Sequence, residues 1–172
     1  RELPTLVMTA LPMPAGTDLE VVIGDAREEL AAMEGRRFDA IVLDVFSGEE
    51  SPAHLAAKDF YLEAFSHLED DGMLLVNVGD DAGQRFLAAQ VRELEEAAAQ
   101  AGHSGVWTLT HASLLSTPAD GNMVLLAGGA LSSPQIEQWR SAWLQAGPHP
   151  AAVLDPAETI EVFEGRGCPQ SG

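Results

Sequence analysis

The sequence places acidic and amide side chains at or just beyond the ends of three short apolar segments. These side chains are Asp25, Asp44, Asn77, Asp80 and Asp81. Carboxylate and amide oxygens accept hydrogen bonds from amino and hydroxyl groups, and a carboxylate also attracts an ammonium group. The residue types therefore point to a site for a ligand that carries amines or hydroxyls. A structural alternative stays open for two of them, because Asp25 can cap a helix and Asp44 can simply end a strand.

The elements that must position these side chains alternate along the chain. Three apolar segments predict buried strands at residues 19–23, 38–43 and 73–78. Each is followed by a segment that predicts a helix, at residues 26–33, 57–68 and 84–101. Alternating strands and helices pair the strands in parallel, and ligands of such sheets bind beyond the carboxyl ends of the strands. We therefore expect the sheet to gather the polar side chains at one edge.

The order of elements changes in the second half of the chain. Residues 106–111 and 123–127 predict two strands joined by a turn-rich link that has no room for a crossover helix, so they should pair antiparallel. Ser133 and Pro134 predict the start of a last helix. The predicted fold class is α/β. A parallel sheet that ends in an antiparallel strand pair is similar to the Rossmann-like fold of S-adenosylmethionine-dependent methyltransferases.

Length and composition predict one folded domain. The 172 residues are 46% hydrophobic and 21% charged, which is typical of a globular protein. We expect that domain over residues 1–147 and a proline-rich tail over residues 148–172. The single cysteine, Cys168, excludes an intrachain disulfide and favours a cytoplasmic location. The sequence predicts no membrane span, no signal peptide and no metal site, because it has neither a long apolar run nor the histidine spacing of a zinc motif.

The charge balance favours one class of ligand over two others. The chain has 27 acidic and 9 basic residues, a formal net charge of -18. This charge repels phosphate backbones and anionic lipid head groups, which disfavours nucleic acid and membrane surfaces as partners. It suits a cationic small molecule such as a polyamine. The alternative is that most of these carboxylates only solvate the surface.

Five short segments, in this order and at this spacing, carry a resemblance to a known family. They are GDAR at 24–27, FDAIVLD at 38–44, PAHL at 52–55, DFY at 59–61 and DGMLLVN at 71–77. They resemble the spermidine synthase (polyamine aminopropyltransferase) family, and in particular its bacterial spermidine synthase-like branch. The resemblance spans roughly residues 19–127, and GNMV at 121–124 extends it.

The resemblance implies a transferase of polyamine biosynthesis. Such an enzyme moves an aminopropyl group from decarboxylated S-adenosylmethionine to a small di- or polyamine, without a metal. By the same resemblance Asp25, with Ala26 beside it, receives the adenine amino group of this co-substrate. Asp44 corresponds to the first aspartate of the family's D-S-S-D motif and contacts both co-substrate and amine. Ser47 stands where that motif has its last aspartate. Glu49 or Glu50 is the candidate to replace that aspartate, the alternative being that both are solvated loop charges. Glu49 and Asn77 are the other expected amine contacts.

Two departures from the family pattern keep other functions open. The hydroxyl of Ser47 cannot serve unaided as the base that the family's last aspartate provides. The family's glycine-rich loop and the strand before it would precede Arg1, so we expect the N-terminal strands to be missing and two apolar strand edges to lack partners. Such edges favour pairing between chains, including a homodimer. The alternatives are an S-adenosylmethionine-dependent methyltransferase and a non-catalytic domain of the same fold.

Overall fold

The computed structural model of the chain describes residues 6–7, 10–11, 13–47 and 51–164. Residues 1–34 and 35–172 divide into two compact units. The first unit contains helix α1, Ala26–Ala32, whose N-cap is Asp25. Residues 35–172 contain the sheet and the remaining helices.

The strand predicted at residues 19–23 is wrong. These residues have no regular secondary structure, and the side chains of Leu19 and Ile23 are 46% and 59% exposed. A β-branched apolar segment has a propensity for the extended conformation, but a strand also needs a partner to satisfy its hydrogen-bonding groups. None of the described strands pairs with this segment. The helix predicted directly after it is confirmed.

The second unit contains a five-stranded sheet in the order β1-β2-β4-β3-β5. Its strands are β1, Phe38–Ser47; β2, Leu68–Asp80; β3, Trp107–His111; β4, Gly121–Ala127; and β5, Ala151–Leu154. β1 and β2 are parallel, whereas β2 with β4, β3 with β4, and β3 with β5 are antiparallel. Both the predicted parallel pair and the predicted antiparallel pair are confirmed, and the fold is α/β.

The helices of this unit are connected to the sheet in chain order. They are α2, Lys58–Ser66; α3, Arg85–Ala101; the single turn α4, Ser113–Ser116; α5, Ile136–Ala146; and α6, Pro156–Phe163, with a 3-10 turn at Gly129–Ser132. Helix α2 contacts α3, α3 contacts α6, and all three pack on the sheet. Among the described helices, none is long and apolar enough to cross a membrane.

Alternate residues of β2 separate the two faces of the sheet. Leu74, Val76 and Val78 are fully buried, while the intervening Leu75 and Asn77 are only half-buried. This period of two is the pattern of a strand with one face in the core. On the second face, α5 covers an apolar cluster formed by Trp107, Leu126, Leu131 and Val153, with Met73, Leu75 and Trp143 packed against it. The second face is thus apolar towards the amino end of β2 and polar towards its carboxyl end.

The region predicted as a tail contains two elements of the sheet domain. Strand β5 pairs with β3, and Phe163 of α6 is 2% exposed. Asp155 and Glu158 form a capping box at the start of α6, with Pro156 at its first position. The sequence carried this start signal. The four-residue strand before it gave too short a pattern to predict. Residues 165–172, including Cys168, lie outside the described residues.

Candidate functional site

Asp44 and Asn77 meet at the carboxyl ends of the parallel strands β1 and β2. The side-chain amide of Asn77 donates through Nδ2 to Asp44 Oδ1 at 2.7 Å. Asn77 lies on the second face of the sheet, because its neighbours Val76 and Val78 point into the core. The Asp44 side chain is exposed. This pair is a carboxylate held in place by a neutral donor and accessible from solvent.

A β-bulge in β1 places two consecutive exposed residues, Asp44 and Val45, between two buried ones. The register runs regularly to Leu43 opposite Val76 and resumes with Phe46 opposite Val78, so three steps along β1 match two along β2. One extra residue in a strand bends it and changes which side chains face outward. Leu43 and Phe46 are both buried, while Asp44 and Val45 between them are exposed. The prediction that the strand ends at residue 43 is therefore wrong, and Asp44 lies inside the strand.

Ser47 is the last residue of β1 and stands opposite Gly79 of β2. The backbone of Ser47 is described but its side chain is not, and Glu49 lies outside the described residues. The roles that the resemblance gives to Ser47 and Glu49 stay predictions.

The carboxylates of Asp80 and Asp81 bind the backbone of the loop that leads into α3. Asp80 accepts from the backbone N–H of Asp81 and of Leu87, both at 2.8 Å, and Asp81 accepts from the N–H of Gly83 at 2.7 Å. The bond from Leu87 satisfies a donor in the first turn of α3 that has no partner within the helix, and the other two bonds hold the loop before the helix. Gln84, the N-cap residue, has a left-handed backbone with φ of 50°. We assign both aspartates a structural role in shaping this loop.

Asp25 caps α1 in the first unit. Its Oδ1 accepts from the backbone N–H of Arg27 at 3.0 Å and of Glu28 at 3.3 Å, and Ala26 is the first helical residue. A carboxylate at this position also interacts favourably with the helix dipole. The structure brings Asp44 and Asn77 together within the second unit. The expectation that Asp25 and Ala26 contribute to the same ligand site as Asp44 and Asn77 stays a prediction.

Two further residues lie near the pair, Gly79 and Asn122. They lie opposite each other on β2 and β4. A Cβ atom at Gly79 would lie 3.0 Å from Asn122 Oδ1 and 3.4 Å from the backbone oxygen of Phe46. The amide of Asn122 therefore extends over the backbone of β2, where a Cβ atom at position 79 would be in tight contact with it. The sequence signal was a glycine near the end of a largely apolar strand segment.

Comparisons with known proteins support the resemblance and the fold. No family model matches the chain. Over 56 residues, which are 31% of this chain and 19% of the relative, it is 39% identical to the polyamine aminopropyltransferase of Vibrio vulnificus (strain CMCP6). A crystal structure of a probable spermidine synthase from Corynebacterium glutamicum ATCC 13032 superposes with a TM-score of 0.74 and 22% identity, covering 99% of this chain and 61% of that one.

The chain thus spans 19% of the length of the curated relative and 61% of the solved structure. The resemblance to the spermidine synthase-like family is confirmed by the match to the Vibrio protein. The predicted methyltransferase-like α/β fold is confirmed by the superposition. Among the described residues, no group of three histidine, cysteine or acidic side chains is placed to hold a metal ion.

Proposed function

We propose that this chain binds a di- or polyamine at Asp44 and Asn77 and serves aminopropyl transfer from decarboxylated S-adenosylmethionine. One observation carries the proposal: an exposed carboxylate, oriented by an amide, stands near the carboxyl ends of two parallel strands, three residues before the last residue of each. This is where ligands bind to open α/β sheets. The similarity to a polyamine aminopropyltransferase, reported above, favours an amine as the ligand.

The Asp44 carboxylate suits an ammonium group. Asn77 occupies Oδ1, and within the described residues no hydrogen bond is made by Oδ2. Hydrogen bonds between a carboxylate and an ammonium group are roughly twice as strong as those between neutral groups. The net charge of -18 also raises the local concentration of cations and their association rate.

The proposed transfer is a single displacement. The lone pair of the amine nitrogen attacks the aminopropyl carbon attached to the sulfonium, and a C–N bond forms as the C–S bond breaks. The sulfur leaves with the bonding pair as neutral methylthioadenosine. The attacking amine must lose its proton, and Asp44 is the carboxylate we assign to receive it. Ser47, at the end of the same strand, is the second residue that we place at the reacting nitrogen.

Asp25 and Ala26 are the residues that we propose for the nucleoside. The Asp25 carboxylate would accept the adenine amino group while its Oδ1 continues to cap α1. A site lined by carboxylates also discriminates between donors. It repels the methionine carboxylate of S-adenosylmethionine, which the decarboxylated donor lacks.

Calorimetric titration of the chain with three nucleosides, each with and without putrescine, tests the proposal. We expect heat with methylthioadenosine and decarboxylated S-adenosylmethionine, less affinity for S-adenosylmethionine, and spermidine together with methylthioadenosine when donor and putrescine are mixed. Preferred binding of S-adenosylmethionine without binding of putrescine would instead support a methyltransferase. Absence of heat with every ligand would leave a non-catalytic domain of this fold.

A further inference from the structure

Three polar side chains lie near one another across three neighbouring strands. They are Asp44 on β1, Asn77 on β2 and Asn122 on β4. The order β1-β2-β4 places these strands side by side, about 4.8 Å apart at each step. Asn77 and Asn122 share the second face, because Asn77 stands opposite Val124, two residues from Asn122 along β4. These three side chains therefore form a row across the strands, with the charged carboxylate of Asp44 at one end and the neutral amide of Asn122 at the other.

Gly79 determines where the amide of Asn122 lies. The site of a Cβ atom at Gly79 is 3.0 Å from Asn122 Oδ1 and 3.4 Å from the carbonyl oxygen of Phe46. These two acceptors approach the space over Gly79 from β4 and from β1. A methyl group at position 79 would occupy part of this space and press against the amide of Asn122, which would have to shift.

Asn122 has no structural task that accounts for its type. Its side chain is exposed and, within the described part of the chain, makes no hydrogen bond. The nearby Asp80 and Asp81 differ, because backbone N–H groups occupy their carboxylates. Asparagine is also unfavourable in strands compared with β-branched residues. An amide at this place is therefore available to a ligand on the second face.

We infer that Asn122 is a specificity-determining residue that binds the second nitrogen of the amine substrate. This inference rests on the proposed function, in which Asp44 holds the first nitrogen. The distal ammonium would donate to Asn122 Oδ1 in the space over Gly79. A molecule with a nitrogen at each end satisfies both ends of the row, whereas a monoamine leaves one end to water. The site thus selects diamines by two separate acceptors.

Titration of the chain with putrescine and with n-butylamine, which has the same carbon chain and one nitrogen, tests this inference. We expect the wild-type chain to prefer putrescine and Asn122→Ala to reduce putrescine affinity about 10-fold, the scale of a hydrogen bond to a charged group. The affinity for butylamine should stay unchanged. Gln138→Ala, which removes an exposed amide from α5, is the matched control and should alter neither affinity.

Two further variants separate a binding role from a folding effect. Gly79→Ala adds a methyl group 3.0 Å from Asn122 Oδ1 and should lower the preference for putrescine as Asn122→Ala does. Asn122→Asp keeps an acceptor, adds a charge and should restore or strengthen putrescine binding. Circular dichroism and thermal unfolding of each variant report whether the fold is retained.

The outcomes distinguish this inference from the function on which it rests. If the wild-type chain binds neither amine, the proposed function fails and this inference fails with it. If the wild-type chain binds both amines through Asp44 but shows no preference, only the role of Asn122 is overturned. The same conclusion follows if Asn122→Ala lowers the affinity for both amines equally or leaves the preference for putrescine unchanged.

Discussion

The bond from Asn77 to Asp44 is the contact that defines the candidate site. A flexible carboxylate on an exposed strand would sample several rotamers, and each would present its oxygens differently. The Asn77 amide holds Asp44 Oδ1 at 2.7 Å, and Oδ2 has no hydrogen bond among the described residues. We expect Asn77 to act on the amine through Asp44, as a positioning residue, in addition to any direct contact.

A double-mutant cycle tests this relation between the two residues. Asn77→Ala should weaken putrescine binding by roughly 5- to 10-fold, because one hydrogen bond of about 1 kcal/mol no longer orients the carboxylate. In the Asp44→Asn background the same change should add little. Titration calorimetry of the four proteins measures the coupling. Fully additive losses would show that Asn77 binds the amine independently of Asp44.

Asp25 caps α1, and its proposed role in binding the nucleoside can be tested separately from this capping role. Asparagine is as good an N-cap residue as aspartate, so Asp25→Asn should leave the free energy of unfolding nearly unchanged. It removes the charge, and we expect methylthioadenosine affinity to fall about 10-fold, the scale of a charged hydrogen bond. Urea unfolding and calorimetry measure the two quantities. An unchanged nucleoside affinity would leave Asp25 with its capping role alone.

At the scale of elements, Glu95 links helix α3 to the start of β3. Its Oε1 accepts from the backbone N–H of Val106 at 2.8 Å. Burial raises the pKa of Glu95, and the bond from Val106 opposes this only in part. The folded state therefore retains the proton to a higher pH than the unfolded state, so this group lowers stability as the pH rises through and above its ordinary value of about 4.3.

Glu95→Gln keeps an acceptor for Val106 and removes the charge. We expect the variant to be more stable than the wild-type chain at pH 7 and the difference to shrink below pH 4. Urea unfolding at several pH values measures it, with Glu96→Gln on the same helix as the control. A Glu95→Gln variant that is less stable at pH 7 would mean that the charge stabilises this link.

Sequence patterns predicted the elements that have strong local signals and missed those that depend on partners. Helices α2 and α3 and the four strands β1 to β4 follow from apolar patterns in the sequence. The segment at residues 19–23 has the composition of a strand, but composition does not supply a neighbouring strand. The bulge at Asp44 was not predictable, because the extra residue is defined only by the register with β2. The proximity of Asn122 to Gly79 depends on the pairing of β2 with β4 in the same way.

At the scale of the whole molecule, the acidic charge predicts how amine binding depends on salt. Raising the salt concentration from 0.01 to 0.15 M shortens the Debye length from about 30 to 8 Å, which screens distant carboxylates. We expect putrescine affinity to fall several-fold over this range, while methylthioadenosine, which is neutral, changes little. Calorimetry at four salt concentrations measures both. If the affinities for the two ligands depended equally on salt, long-range charge attraction would not contribute to amine recognition.

The C-terminal elements β5 and α6 pack with the sheet. Strand β5 pairs with β3, and the hydroxyl of Thr159 on α6 donates to the buried Thr108 on β3. We expect a chain that ends at residue 147 to lose several kcal/mol of stability or to fail to fold, because Phe163 and the partner of β3 are removed. A chain that ends at Glu164 keeps both elements and is the control. Thermal unfolding compares the stability of the two chains. Equal stability would show that residues 148–164 are a tail outside the folded domain.

β1 is the edge strand of the described sheet, and Val42 on it is 68% exposed. Pairing between chains through exposed strand edges stays a prediction.

Titration of putrescine into the wild-type chain and into Asp44→Asn tests the central claim most directly. Asparagine keeps the size of the side chain and removes its charge. We predict at least a 10-fold loss of putrescine affinity in Asp44→Asn, with methylthioadenosine affinity unchanged. Equal putrescine affinity in the two proteins would contradict the account, because the amine would then bind somewhere other than the carboxylate at the end of β1.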